Sequence, residues 1–184
     1  MADLTLPRRA TYADYCTFPD DGVRYEIIEG AVFMTPAPST LHQYASKRLQ
    51  RMLETALEAS GMRLVFNAPV DVLLSDEDVV QPDLVVVAKS QLTKRGVEGP
   101  PLLIVEILSP SRPDYDRLTK ARRYAAFGIA HYWMVDPDAR TVECFALERD
   151  AYRLRIAGGG HDTLVIAAFD DLTLPLSELW LELA

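Results

Sequence analysis

Histidine and cysteine are scarce in this chain, three and two among 184 residues. Cys16 and Cys144 stand far apart and outside any metal-ligand spacing, so they build no structural zinc site. They are expected as free thiols in a reducing compartment rather than as a disulfide. Long hydrophobic runs are missing too. No stretch approaches the ~20 apolar residues of a membrane helix, and the opening Met1-Ala2-Asp3-Leu4-Thr5-Leu6-Pro7 lacks a signal-peptide layout. Basic charge is in deficit, with 19 Lys and Arg against 27 Asp and Glu and a formal net charge of −8. Proteins that coat nucleic acid non-specifically are basic, which counts against that role but not against an enzyme with a local positive surface. The sequence shows no repeat, low-complexity stretch or linker. The expectation is one domain over residues 1–184, in the cytoplasm, with no membrane partner.

What is present is a mixed pattern. Hydrophobic residues make up 49% of the chain, enough for a core. Residues 11–18 read as a short helix capped by Thr11, and residues 24–29 and 31–34 as a hairpin turning at Glu29-Gly30. Over residues 39–59, Leu41, Tyr44, Ala45, Leu49, Met52, Leu53, Ala56 and Leu57 recur at three- and four-residue steps, a helix with Ser39 as N-cap. Its Lys47, Arg48 and Arg51 read as a solvated face, and His42 at its start as a surface or capping residue. Strands are expected at 62–67, 70–74 and 82–87, then an exposed loop over 89–101 and a strand ending in Leu103-Ile104-Val105-Glu106-Ile107-Leu108. A helix over 116–127 stops at Gly128. A strand at 131–135, a closing antiparallel meander over 141–147, 152–156 and 163–167, and a short amphipathic helix at 176–183 complete the chain. Tyr132 and Trp133 read as core. The fold class is α/β, mixed α+β: a central mixed sheet flanked by helices, with additional antiparallel strands.

Two of these strands carry a carboxylate among β-branched neighbours, Asp83 in Gln81-Pro82-Asp83-Leu84-Val85-Val86-Val87 and Glu106 in the later run. An ionised carboxylate inside a sheet is expensive unless paired. Two at adjacent strand positions repel each other, and a divalent cation would hold both. Magnesium, or manganese, bound there would neutralise a phosphate and lower the pKa of a bound water. Lys120 nearby would orient that water or stabilise developing charge, and Glu26 would complete the outer shell or accept a proton. The competing readings are a local turn for Asp83, a buried arginine partner for Glu106, and an exposed Asp116–Lys120 pair on one helix face. Arg112, Arg117 and Arg123, with Arg122, supply the expected nucleic-acid-facing charge.

Taken together, Pro82-Asp83, then Val105 to Ser111, Asp116, Lys120, Tyr124 and the run Gly128 to Pro137 resemble the Uma-two family. Tyr25-Glu26-Ile27-Ile28-Glu29-Gly30 and the Pro36 to His42 segment resemble the family's opening. Its members are endonucleases of the PD-(D/E)XK, restriction-endonuclease-like superfamily. The resemblance implies a restriction-endonuclease-like fold, Asp83 and Glu106 as metal ligands, and the backbone carbonyl of Ile107 as a further one. The superfamily's motif has lysine two residues after the glutamate, where this chain has Leu108. The resemblance therefore moves the lysine to the following helix, as Lys120. Glu29 competes with Glu26 for its role. The expected activity is metal-dependent hydrolysis of phosphodiester bonds in DNA, with RNA as the other substrate. The alternatives are an inactive nuclease-fold module that binds nucleic acid or protein, and, more remotely, a two-carboxylate glycosidase. A twofold dimer would place two active sites on a duplex, and residues 172–183 would either form that interface or close the core.

Overall fold

A computed structural model describes residues 8–35, 37–59, 61–109 and 115–182, the side chains of 115–117 excepted. The chain opens with α1 (Tyr12–Tyr15), whose first turn is held by the Asp14 carboxylate accepting from the Thr11 backbone N–H and hydroxyl. The expected hairpin follows as β1 (Arg24–Ile28) and β2 (Ala31–Thr35). Its turn residues Glu29 and Gly30 have φ of 52° and 75°, the left-handed pair of a tight primed turn. Next comes α2 (Thr40–Leu57), with the Ser39 hydroxyl accepting from the His42 N–H as N-cap.

After β3 (Arg63–Asn67) come β4 (Val72–Ser75) and β5 (Asp78–Val80), then β6 (Leu84–Ala88). The single strand expected around Asp83 is thus divided. β5 and β6 lie in different sheets, and Gln81-Pro82-Asp83 carries the chain between them. Proline suits that crossing because it has no N–H to leave unpaired. Residues 89–101 are not a plain exposed loop. They hold β7 (Leu92–Thr93) and β8 (Gly96–Glu98), and Val97 is fully buried. Gly96, at φ 131°, lets this hairpin lie against β4, since a Cβ there would sit 2.4 Å from the Asp71 carbonyl oxygen.

The remainder is β9 (Leu103–Ile107), α3 (Ala121–Ala126) entered through a π-helical stretch (Tyr115–Lys120), β10 (His131–Asp136), β11 (Thr141–Glu148), β12 (Ala151–Gly159), β13 (Thr163–Ile166) and β14 (Leu172–Pro175). The expected three-strand meander stops at β12. β13 pairs with β14 as a separate ribbon, and the expected tail helix is only a 3₁₀ turn at Leu176–Glu178.

The central sheet runs β12-β11-β10-β9-β6-β3, with β9 and β10 parallel and its other pairs antiparallel. A second six-stranded sheet runs β2-β1-β5-β4-β8-β7. Side chains alternate across a strand. Leu84, Val86, Leu103, Val105, Ile107, Trp133 and Val135 therefore pack on one face with Ala45, Leu49 and Leu53 of α2 and with Leu174 and Leu176. Val85, Val87, Ile104, Leu108, Tyr132 and Met134 take the other face, against Tyr124 of α3 and Ile28, Val72 and Val80 of the second sheet. Full burial of such side chains stabilises by about 1.5–3 kcal/mol each. Among the described residues no helix is long and apolar enough to cross a membrane.

Candidate active site

The two sheets meet at the Gln81-Pro82-Asp83 crossing, and charge collects there. The antiparallel register pairs Leu84 with Val105, so Asp83 and Glu106 fall side by side at the end of that ladder. Glu106 shares the sheet face of Ile104 and Leu108, toward α3. Lys120 projects from the junction of the π-helical stretch and α3. Its Nζ lies 3.0 Å from Glu106 Oε1 and 3.0 Å from Glu26 Oε1. Glu26, Asp83, Glu106 and Lys120 are all buried, none more than 6% exposed. A lysine is rarely so enclosed unless paired, and here the two glutamates supply the pairing. The exposed Asp116–Lys120 reading fails for Lys120, whose ammonium is inside, and the buried partner of Glu106 is a lysine rather than an arginine.

Each carboxylate has further partners. Tyr124 donates its hydroxyl to Glu106 Oε1 at 2.7 Å. Burial, then Glu106 and Glu26, push the Tyr124 phenol well above its ordinary pKa, so it stays a donor. The Gln81 backbone N–H donates to Glu26 Oε1 at 2.9 Å, while Glu26 Oε2 is buried without a hydrogen-bond partner among the described residues. Asp83 Oδ2 accepts from the Ile107 N–H at 2.9 Å and lies 3.0 Å from His42 Nε2. Among the described residues, Asp83 Oδ1 has only the Arg24 guanidinium, at a loose 3.3 Å. Burial works against ionisation of Asp83, yet His42, Ile107 and Arg24 outweigh it and hold the carboxyl below its ordinary value.

Glu26, not Glu29, belongs to this cluster. Glu29 is exposed at the β1–β2 turn and faces Arg123 at 3.3 Å. Arg123, expected to face nucleic acid, is bound to Asp78 through Nε and Nη2, both at 2.6 Å. Arg112 and the side chain of Arg117 lie outside the described residues. His42 is the residue that sequence reasoning placed wrongly. It is buried, 6% exposed, and touches Asp83 rather than serving at the surface. The available signal was its spacing, because His42, Ala45, Leu49 and Leu53 form the buried stripe of α2. Arg24 gave no such signal.

Asp83 and Glu106 offer hard oxygen donors to a cation. Among the described residues no three His, Cys, Asp or Glu side chains form a metal-ligand set. Magnesium commonly takes only one or two carboxylates and keeps its waters. Three buried carboxylates converge on Lys120 and Arg24, and Glu26 Oε2 and Asp83 Oδ1 remain unsatisfied or loosely held. The residues fit such an ion.

A crystal structure of "a putative nuclease belonging to DUF820 from Anabaena variabilis ATCC 29413" superposes with a TM-score of 0.74 at 20% identity, covering 92% of this chain and 96% of that one. At that identity the likeness shows a shared fold. No curated protein matches the chain. The Uma2 family, described as "Putative restriction endonuclease", matches residues 10–177, from before α1 to the final 3₁₀ turn. The chain belongs to the Uma2 family.

Proposed function

We propose that this protein is a metal-dependent endonuclease that hydrolyses phosphodiester bonds in DNA. The observation that carries the reading is Lys120 Nζ, buried and 3.0 Å from both Glu26 and Glu106, beside the Asp83 carboxylate. Asp83 and Glu106 would hold Mg²⁺, or Mn²⁺, with the carbonyl of Ile107, whose N–H already reaches Asp83. The ion would neutralise phosphate charge and acidify a bound water. Lys120 positions the attacking water and stabilises charge as it develops on phosphate oxygens. Glu26 holds Lys120 from the opposite side, and its free Oε2 is placed to accept a proton. His42 and the Ile107 N–H fix the Asp83 rotamer through Oδ2, leaving Oδ1 to the loose Arg24 contact. The lysine that the superfamily's motif would place at Leu108 is supplied from α3's side of the sheet. That supports the catalytic reading over an inactive module, for which the acidic net charge of −8 is the other motive.

DNA-facing charge is assigned to Arg112 and Arg117, which precede Lys120, with Arg123 joining them only if it leaves Asp78. One domain acting as a homodimer in the cytoplasm would present two sites to a duplex. The test is cleavage of plasmid and oligonucleotide DNA, and of RNA, with Mg²⁺, with Mn²⁺ and with chelator. Cutting is expected only with metal, and to vanish in Asp83→Asn and Glu106→Gln variants that still fold. Full activity in either variant, or in chelator, would refute the site.

A further inference from the structure

Beside Asp83 opens a cavity of about 260 Å³, bordered by Arg24 and His42 and lined with polar groups the proposed chemistry does not use. Liquid water occupies about 30 Å³ per molecule, so the space exceeds what one phosphate needs. It falls just short of the ~300–1,000 Å³ typical of drug-sized ligand pockets.

The lining is unusual in being uncommitted. The side chains of Gln43, Ser46 and Asn67 make no hydrogen bond or ion pair with other described residues, yet all three face the cavity. Arg24 carries five N–H donors and uses one, in the loose contact to Asp83, with its side chain 19% exposed. His42 Nδ1 is buried and unpartnered. Gln43 and Asn67 are open to solvent, whereas Ser46 and His42 are buried, and a buried polar atom such as His42 Nδ1 is normally satisfied. Together these open donors and acceptors describe a site for a polar ligand. Ala37-Pro38 and Ala68-Pro69 add apolar lining. Apolar lining, hydrogen-bonding side chains and one guanidinium complement what a nucleotide presents: a π-face, a base edge and a phosphate.

We propose that this pocket takes one unpaired nucleotide of the substrate strand, its phosphate on Arg24 and its base edge on Gln43 and Asn67. The proposal rests on the nuclease reading and sharpens it. A pocket beside Asp83 that encloses a base makes a single-stranded or flipped-out nucleotide, rather than uninterrupted duplex, the substrate next to the cut.

An NMR titration of the full chain in chelator, where no cleavage occurs, tests this with two probes. One is a deoxynucleoside monophosphate and the other is 2-deoxyribose 5-phosphate, which lacks the base. The nucleotide is expected to bind at least tenfold more tightly and to shift Gln43, Ser46 and Asn67 resonances. Gln43→Ala with Asn67→Ala should abolish that tenfold difference, while Arg24→Gln weakens both probes alike. Equal affinity for the two probes, shifts elsewhere, or no binding of either would overturn the pocket assignment. Unchanged discrimination in a folded double variant would also overturn it. Cleavage assayed separately with Mg²⁺ keeps the two ideas apart. A chain that binds nucleotide by these residues but cuts nothing loses the catalytic reading and keeps the pocket. One that cuts DNA without telling nucleotide from sugar phosphate loses the pocket alone.

Discussion

Two buried aspartates five residues apart, Asp78 and Asp83, each face an arginine, and their environments differ. Asp78 is fully enclosed and saturated. Arg123 grips both oxygens at 2.6 Å, the Ser75 hydroxyl adds 2.6 Å and the Glu29 N–H 3.0 Å. Asp83 has two good contacts on Oδ2 and only Arg24 at 3.3 Å on Oδ1, beside an open cavity. A carboxylate whose lone pairs are all used closes a structure, as Asp78 closes the second sheet onto α3. One left half-open, next to a second carboxylate, keeps a place for a ligand. Burial alone does not separate the two, because both are buried. Saturation does.

The contrast yields its largest expected effect at Glu106. Glu106→Gln should lower metal-dependent cleavage on the order of a thousandfold, measured under single-turnover conditions, with the melting temperature little changed. Asp78→Ala should do the reverse. It strands Arg123 and costs about 3 kcal/mol in a denaturant melt, the low end for breaking a buried pair because Arg123 reaches solvent. Cleavage measured well below the lowered melting point should be unaffected.

That stability term should depend on pH with a definite sign. Burial opposes ionisation of Asp78, but Arg123, Ser75 and the Glu29 N–H hold its carboxyl below the ordinary 3.8. A depressed folded pKa means the contribution is complete above the ordinary value and is lost as pH falls through the folded one. The stability gap between wild type and Asp78→Asn should therefore hold from neutrality to about pH 4 and shrink below it. A gap that widened on acidification would contradict the assignment.

A smaller effect is expected at His42, which acts on the site through Asp83. His42→Ala should weaken Mg²⁺ binding about 10–100-fold by calorimetry, the usual range for a residue that orients a metal ligand. An unchanged affinity would leave His42 a packing residue. Smallest of all is Glu178→Gln, which loosens its exposed ion pair with Arg48, midway along α2. It should cost a few tenths of a kcal/mol at most.

Much of this was legible in the sequence. The hairpin at Glu29-Gly30, the Ser39-capped helix, the stop at Gly128 and the carboxylate-bearing positions follow from local rules of spacing, capping and turn chemistry. What escaped was non-local. β8 is three residues long, and besides its hairpin with β7 it lies beside β4, a pairing that the polar, glycine-bearing run around it does not announce. β14 likewise exists by pairing with β13. His42 reads as a cap because it sits in the first turn of its helix, and only the docking of α2 against the central sheet brings its ring to Asp83.

The sequence by itself determined which residues could carry the chemistry: carboxylates at Glu26, Asp83 and Glu106 are out of place in apolar strands unless something compensates them. Period-two alternation sets Glu106 on the sheet face opposite Val105 and Ile107, and the packing of α2 on that other face is tertiary. The tertiary structure alone decided that Glu26 rather than Glu29 reaches Lys120, that the Lys120 ammonium touches both Glu26 and Glu106, and that Arg123 is occupied by Asp78. The reason is one of range. Propensity and periodicity act over a few residues, whereas the charges of this site come from β1, the β5–β6 crossing, β9 and the start of α3, and their distances are set only when two sheets and a helix pack together.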